Sequence, residues 1–511
     1  MAASVLLLQW RYGFNWGDEG WLWYISQRTA HGEVPIRDIF SYDPGRYYWS
    51  AAVFKLLGND GLFEQLVANY LFGAIALAAA YLAMARARIR AGWRGAALLL
   101  LGIGVGFPRH KIFEQSLSLI AAAGIGYVLS EPEKRMRWFL YGIATGMAAF
   151  FGRNSGLYFF VAAILAYGFL RWSSRAPRFR PPAAALLAGI VIGYSPVFAM
   201  MLRFRGFTSA FLDSVLLTPN WSWPLRIPFP WHSHVHGLDG FDALQVRSVS
   251  WLCLAIPAVY VVSIWKAARE KQFGSLRLAG AASLAGIPYL HHAFYHADFF
   301  HIAQAVLPFA VATAGLSQYM YEAGHPRWSL AFLGGISALA LACWLPMEPG
   351  ISYLRASAGD RATVSAISIG GRTFEIPAEQ ADIMTKTKAA FQACGGKAGS
   401  FLEAPFYPGL YAYLNTRAPS WDTYYLWPRD SQIQQQQVQA LVANRTALVL
   451  LNRTALFDRQ DWLRIDRTYP SLVEYILAHY QRSDVSLPDG FELYFSPQRC
   501  GFAETQGLDI R

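Results

Sequence analysis

Two acids stand side by side near the start of this chain, Asp18 and Glu19, framed by Gly17 and Gly20. A carboxylate at the edge of a ligand site can act as a general base and take the proton of an incoming hydroxyl. A pair of carboxylates can instead hold a divalent cation, so the sequence leaves metal dependence open. The segments around them, Asn15–Arg28, His31–Asp38 and Tyr42–Trp49, are dense in Trp, Tyr and Arg and add Asp43 and Arg46. Further along, Arg109-His110-Lys111 and Arg153, the latter between Gly152 and Asn154, supply cations. Cations of this kind can bind an anionic ligand or stabilise negative charge that develops in a transition state. A glycosidase would want two carboxylates flanking the sugar, whereas a single displacement needs one base and a cationic cradle.

A third cluster, His291, His292, His296, Asp298 and His301, offers sugar or phosphate recognition through His296, Asp298 and His301. Its spacing also suits zinc, but no Cys or His-Glu-x-x-His frame accompanies it. Trp221, Trp223 and Trp231, with His232, His234 and His236, would stack on a sugar face or line the membrane surface. Each group has a plainer reading: Asp18 and Asp43 as helix caps, and the arginines as side chains snorkelling to lipid headgroups.

The elements that must position these residues are set by composition. Of 511 residues 54% are hydrophobic and 15% charged, against about 25% charged in an ordinary soluble domain. With a mean hydropathy of +0.23 and 18 Trp, the chain reads as one mostly solvated by lipid. Apolar runs at 66–85, 95–108, 116–130, 138–151, 155–171, 183–202, 249–265, 278–290, 302–317 and 328–345 are candidate spans. Met1–Trp10 is too short to cross and reads as the tail of a truncated first span, giving about 11 in all.

The net charge of +11 then acquires a place. Alternate connections carry 16 cations, among them Arg86, Arg88, Arg90, Arg94, Lys134, Arg135 and Arg137, against four acids. The remaining segments of 1–345 balance at 12 cations and 12 acids. The positive-inside rule puts the basic connections in the cytoplasm and loops 11–65 and 203–248 outside, with everything after about 346. Nucleic-acid binding is excluded, because the basic residues lie in alternating short loops and not on one face.

Residues 346–511 lose the long apolar runs and read as a soluble α/β domain on the outer face. A helix is predicted at 377–393, a strand at Thr446–Leu451 and a helix at 470–481. Cys394 and Cys500 fall here and are either bridged or two free thiols; spacing does not decide. Cys253 and Cys343 lie in spans as packing residues. In the first outer loop one short helix begins after Asp18, with Trp21, Leu22 and Ile25 on one face, and stops near Gly32. A second begins at Asp43-Pro44, with Asp as its cap and Pro at its first position. Both suit helices lying in the headgroup layer.

The segment Asp18-Glu-Gly-Trp-Leu-Trp-Tyr24, followed by Gly32 to Trp49, resembles the first periplasmic loop of GT-C glycosyltransferases. These include protein O-mannosyltransferases, lipid A aminoarabinose transferases and the lipopolysaccharide-core transferases of rhizobia. The likeness extends to the layout of many spans, a long first outer loop and a C-terminal outer domain. It implies an all-α polytopic membrane domain of GT-C type with a small C-terminal α/β outer-face domain. It further implies a polyprenyl-phosphate sugar donor, Asp18 as catalytic base with Glu19 beside it, and inversion at the anomeric carbon. Arg153, Arg46, Arg109 and Lys111 would bind donor phosphate, and Asp43, His296, Asp298 and His301 substrate. The second motif reads Asp43-Pro-Gly-Arg46 where parts of the family carry His-Pro-Pro. Together with an Ala/Arg-rich composition, the resemblance points to a bacterial inner membrane and to an envelope glycan, lipid or protein acceptor. A secondary transporter or a non-catalytic scaffold is the alternative; the former would bury charges at the span midplanes, which these spans hardly do.

Overall fold

The computed structural model describes residues 1–173, 182–221, 240–270, 273–295, 299–345, 363–397, 399–454, 461–488 and 490–500. Helices occupy all ten of the predicted apolar runs. They are α4 (Leu62–Arg86), α5 (Ala91–Gly106), α6 (Ile112–Ser130), α7 (Arg135–Phe151), α8 (Arg153–Ser173), the pair α9 (Ala183–Gly193) and α10 (Ser195–Arg203), α12 (Gly240–Arg269), α13 (Gly274–Gly286), α15 (Phe299–Glu322) and α16 (Pro326–Trp344). Six of these runs are long and apolar enough to cross a membrane, and α9–α10, bent by 42°, makes a seventh as one broken span. α5, α7 and α13 have 16, 17 and 13 residues, short of the roughly 20 that a bilayer core asks for. The chain is a multi-pass membrane protein. Met1–Trp10 carries a short helix, α1 (Ala2–Gln9).

α7 and α9 meet along a seam of glycines. A Cβ on Gly142 would come within 2.2 Å of the Leu186 carbonyl, and one on Gly193 within 2.2 Å of the Ile143 carbonyl. Small residues four apart on facing helices permit this backbone approach, and α7 brings its C-terminus to the outer site through it.

Both helices expected within residues 11–65 form, with neither Asp18 nor Asp43 as a cap. α2 (Asp18–Ala30) buries Trp21, Leu22 and Ile25, and α3 (Gly45–Leu57) follows. The region 203–248 is not only loop. α11 (Phe207–Trp221) lies within it, and α12 begins at Gly240. Phe207 and Phe211 of α11 pack on Val34, Ile36, Val197 and Met200, an apolar face that a search for 20-residue runs passes over.

After residue 363 the structure turns to sheet and short helices. β1 (Val364–Ile369) and β2 (Arg372–Pro377) form an antiparallel hairpin, followed by α17 (Ala378–Ala393). A four-stranded sheet has the order β3 (Phe401–Ala404), β4 (Leu448–Asn452), β6 (Phe491–Phe495), β5 (Gln481–Arg482), with β3 parallel to β4 and the others antiparallel. A helix at Pro470–His479 packs on it.

This C-terminal part is joined to the helical part by backbone as well as by side chains. Arg11–Gly13 runs beside β2: Glu375 N–H donates to the Arg11 carbonyl at 2.7 Å and Gly13 N–H to the Glu375 carbonyl at 2.8 Å. Gly20 on α2 touches Gly409 so closely that a Cβ would sit 2.5 Å from its Cα. The glycine after the acidic pair thus serves this docking. One apolar core runs from the spans through α2 and the hairpin to Cys500.

Cys394 and Cys500 are bridged, 106 residues apart in sequence; Cys253 and Cys343 are free and buried. Closing so long a loop limits the unfolded chain, so Cys500→Ser should destabilise the outer part by about 2–4 kcal/mol. Denaturant unfolding of the purified protein reads this, and a midpoint insensitive to the substitution would contradict it.

Candidate functional site

α2 begins where Asn15 folds back on it. The Asn15 side-chain oxygen accepts from the N–H groups of Gly17 (3.0 Å) and Asp18 (3.1 Å), and Glu19 Oε2 accepts from Asn15 N–H at 3.1 Å. This reciprocal arrangement has the logic of a capping box. Gly17 is the residue that precedes the helix and Asn15 supplies the side-chain acceptor, so the Asp18 carboxylate, 37% exposed, is left for other work. It lies 3.7 Å from His110 Nε2.

Glu19 points the other way. Its side chain is 2% exposed and sits 3.3 Å from Arg109 Nε, itself 4% exposed. Burial pushes the Glu19 carboxyl above its ordinary range, and the Arg109 guanidinium opposes that rise. Arg109 Nη2 donates to the carbonyls of Tyr12 (2.6 Å) and Gly13 (2.8 Å). The neighbouring carboxylates thus occupy different environments, one open and one clamped.

Asp43 differs from its predicted role as the cap of α3. That helix starts at Gly45 with no side-chain cap, and Asp43 reaches instead to the start of α8. There it accepts from Arg153 N–H at 2.7 Å and pairs with Arg153 Nε at 2.8 Å. Burial raises its carboxyl from the usual carboxylate range, opposed by Arg153. A carboxylate at a helix N-terminus also meets the positive end of the helix dipole. Arg153 Nη1 further donates to Ser214 Oγ at 3.2 Å.

Arg46 is likewise engaged. Its Nη1 donates to Glu114 Oε1 at 2.8 Å, while Nε and Nη2 donate to the Phe151 carbonyl at the end of α7, at 3.1 and 2.9 Å. Lys111 stands apart from these three arginines. Half-buried, it lies within electrostatic range of Tyr42, Glu114 and Asp18, and among the described residues its ammonium has no hydrogen bond or ion pair. The structure thus gathers Asp18, His110, Lys111, Glu114 and Arg46 at one site, where the N-terminal ends of α2 and α6 meet α3.

Its aromatic wall was not legible in the spacing. Trp21 stands 4.7 Å from Tyr42 and 5.2 Å from Tyr424, ring centre to ring centre, and Phe406 packs 4.2 Å from Tyr424. Tyr42 sits in the first-loop motif, but Tyr424 comes from the far end of the chain with no local signal.

Across 96% of its length the chain superposes on 96% of ArnT from Cupriavidus metallidurans, solved in the apo state, with a TM-score of 0.52 and 13% sequence identity. This chain has the GT-C fold. No family model and no curated protein matches its sequence, so the likeness lives in the architecture.

Within this GT-C fold the histidine cluster lies beside the acidic site. His292 Nε2 is 2.9 Å from the Tyr158 hydroxyl, and the His292 and His301 rings stack 6.5 Å apart. Phe300, next to His301, contacts the His110 ring at 5.9 Å. His296 and Asp298 lie outside the described residues, as do Trp223, Trp231, His232, His234 and His236 and the side chain of Trp221. Among the described residues no three His, Cys, Asp or Glu side chains gather as a metal-binding set. Glu19 faces Arg109, which turns it away from sharing a cation with Asp18.

Proposed function

We propose that this protein is a membrane glycosyltransferase that moves a sugar from a polyprenyl-phosphate carrier to an envelope acceptor on the outer side of a bacterial inner membrane. The observation that carries the reading is the juxtaposition of an accessible Asp18, not used as a helix cap, with Lys111, a half-buried ammonium that makes no hydrogen bond or ion pair among the described residues. The arginines first considered for the phosphate divide differently: Arg46, Arg109 and Arg153 spend donors on Glu114 and Phe151, on Glu19, Tyr12 and Gly13, and on Asp43 and Ser214. They hold the site's frame, and Lys111 meets the donor phosphate.

Asp18 takes the proton of the acceptor hydroxyl as that oxygen attacks the anomeric carbon. The bond from that carbon to the phosphate oxygen breaks, and the polyprenyl phosphate leaves with both electrons. Lys111 and His110 stand where that charge develops. One base and one displacement invert the anomeric centre. The orientation follows from the positive-inside asymmetry, which puts this site and the domain after about 346 outside. ArnT shares the architecture, and the acidic first-loop residue at the head of α2 fits the same use of it.

Lys111→Met keeps most of the apolar stem and removes the charge. The variant should bind undecaprenyl phosphate roughly 10–100-fold more weakly, the worth of one hydrogen bond to a charged group. Its melting temperature should not move. Titration of the carrier lipid into nanodisc-held protein measures this, and wild-type affinity would remove Lys111 from the donor site. Comparing envelope glycans by mass with and without the protein would then identify the transferred sugar.

A further inference from the structure

Next to the acidic site, on the far side of His110, lies a cavity of about 370 Å³. That is within the range of ligand pockets, roughly 300–1,000 Å³. It runs between the first loop, the Phe107–His110 turn and the outer hairpin. Three rings, Phe14, Phe107 and Phe300, face it together with Glu19, Arg109 and Glu375.

Two features of its wall ask for a ligand. Arg109 Nη1 is buried and, among the described residues, has no hydrogen-bond partner, while Glu19 Oε1 has only the Arg109 Nε ion pair at 3.3 Å; the two side chains are 4% and 2% exposed. Buried polar atoms are ordinarily satisfied, and unmet ones at a cavity wall mark where a bound group completes them. The charge is equally informative. Arg109 is neutralised by Glu19, and Glu375 adds a further acid, so among the described residues the lining holds no uncompensated arginine or lysine to attract phosphate.

We infer that this cavity is the acceptor subsite and that it takes an uncharged pyranose. The C–H face of such a ring lies on the phenylalanines, and its hydroxyls meet Glu19 Oε1, Arg109 Nη1 and Glu375. The same histidine, His110, lines the cavity and stands 3.7 Å from Asp18, so a hydroxyl at the cavity's inner end approaches the base. Donor and acceptor are thereby sorted by charge: phosphate on the Lys111 side, neutral sugar on the Glu19–Arg109 side. Naming the ligand an acceptor rests on the transferase reading; the neutral-sugar site itself does not.

Saturation-transfer NMR on nanodisc-held protein tests the inference, with methyl pyranosides of gluco, galacto and manno configuration and glucose 6-phosphate as probes. At least one neutral pyranoside should receive saturation, and glucose 6-phosphate less. Val364→Trp fills the cavity from β1, and Glu375→Leu removes a carboxylate while leaving the backbone bonds of β2 intact. Each should weaken pyranoside binding about tenfold or more, as expected when a pocket's volume or polar anchor is lost, and leave undecaprenyl phosphate binding unchanged. Absence of binding by every neutral pyranoside would overturn the inference. So would unaltered binding in both variants, or tighter binding of the phosphorylated sugar. If the pyranosides bind as expected but wild-type protein ignores undecaprenyl phosphate, the transferase reading fails and the neutral-sugar site stands.

Discussion

Asp18→Asn should lower sugar transfer by roughly 10²–10⁴-fold, the usual contribution of a general base, while the protein folds and inserts as before. The expectation of intact folding is specific to this geometry. Asn15, not Asp18, accepts from the N–H groups that open α2, and the Asp18 carboxylate is 37% exposed with the His110 ring at 3.7 Å. An asparagine of the same shape therefore removes the base and little else. It also removes a negative charge near Lys111, so the carrier phosphate should bind the variant as tightly as the wild type or more so. Turnover and carrier affinity measured on one preparation separate the two effects. Wild-type turnover would remove Asp18 from the chemistry, whatever the fold.

The adjacent acid should behave in the opposite way. Glu19→Ala leaves Arg109 buried without its counter-charge and deletes the acceptor for Asn15 N–H. Breaking one side of a buried pair costs about 3–5 kcal/mol. The loss is structural: Arg109 ties Glu19 to the carbonyls of Tyr12 and Gly13, the strand-like stretch on which β2 rests. The expected result is a strongly lowered unfolding midpoint and a loosened outer part, visible as faster amide exchange in β1 and β2. A Glu19→Ala protein with a wild-type unfolding midpoint would overturn this structural assignment.

The contrast between these neighbours marks how far the sequence could be read. Their types and position are visible in it, and so are the places of α2, α17 and the apolar helices, because apolar spacing and turn residues act locally. Partners are not. Asp43 looks like a cap for its own helix by every local rule, yet it serves α8, 110 residues further on. Arg46, Arg109 and Arg153 read alike as cations at an outer surface, and only their contacts distinguish them from Lys111. The disulfide was open for the same reason: two cysteines state nothing about the path between them. α11 was passed over because its buried face, around Phe207 and Phe211, is amphipathic and not uniformly apolar.

The strand-like pairing of Arg11–Gly13 with β2 bears on how this protein could be divided or recombined. A cut near residue 346 looks natural in the sequence, but a secreted fragment of residues 363–500 would lose that pairing. It would also expose the faces that α2 covers at Gly409 and Tyr411. Such a fragment should be sticky and poorly folded unless residues of the first loop travel with it. Exchange of the C-terminal part between relatives meets the same condition: the piece that moves as a unit is discontinuous in the gene, with Asp18 at the head of α2 embedded in it.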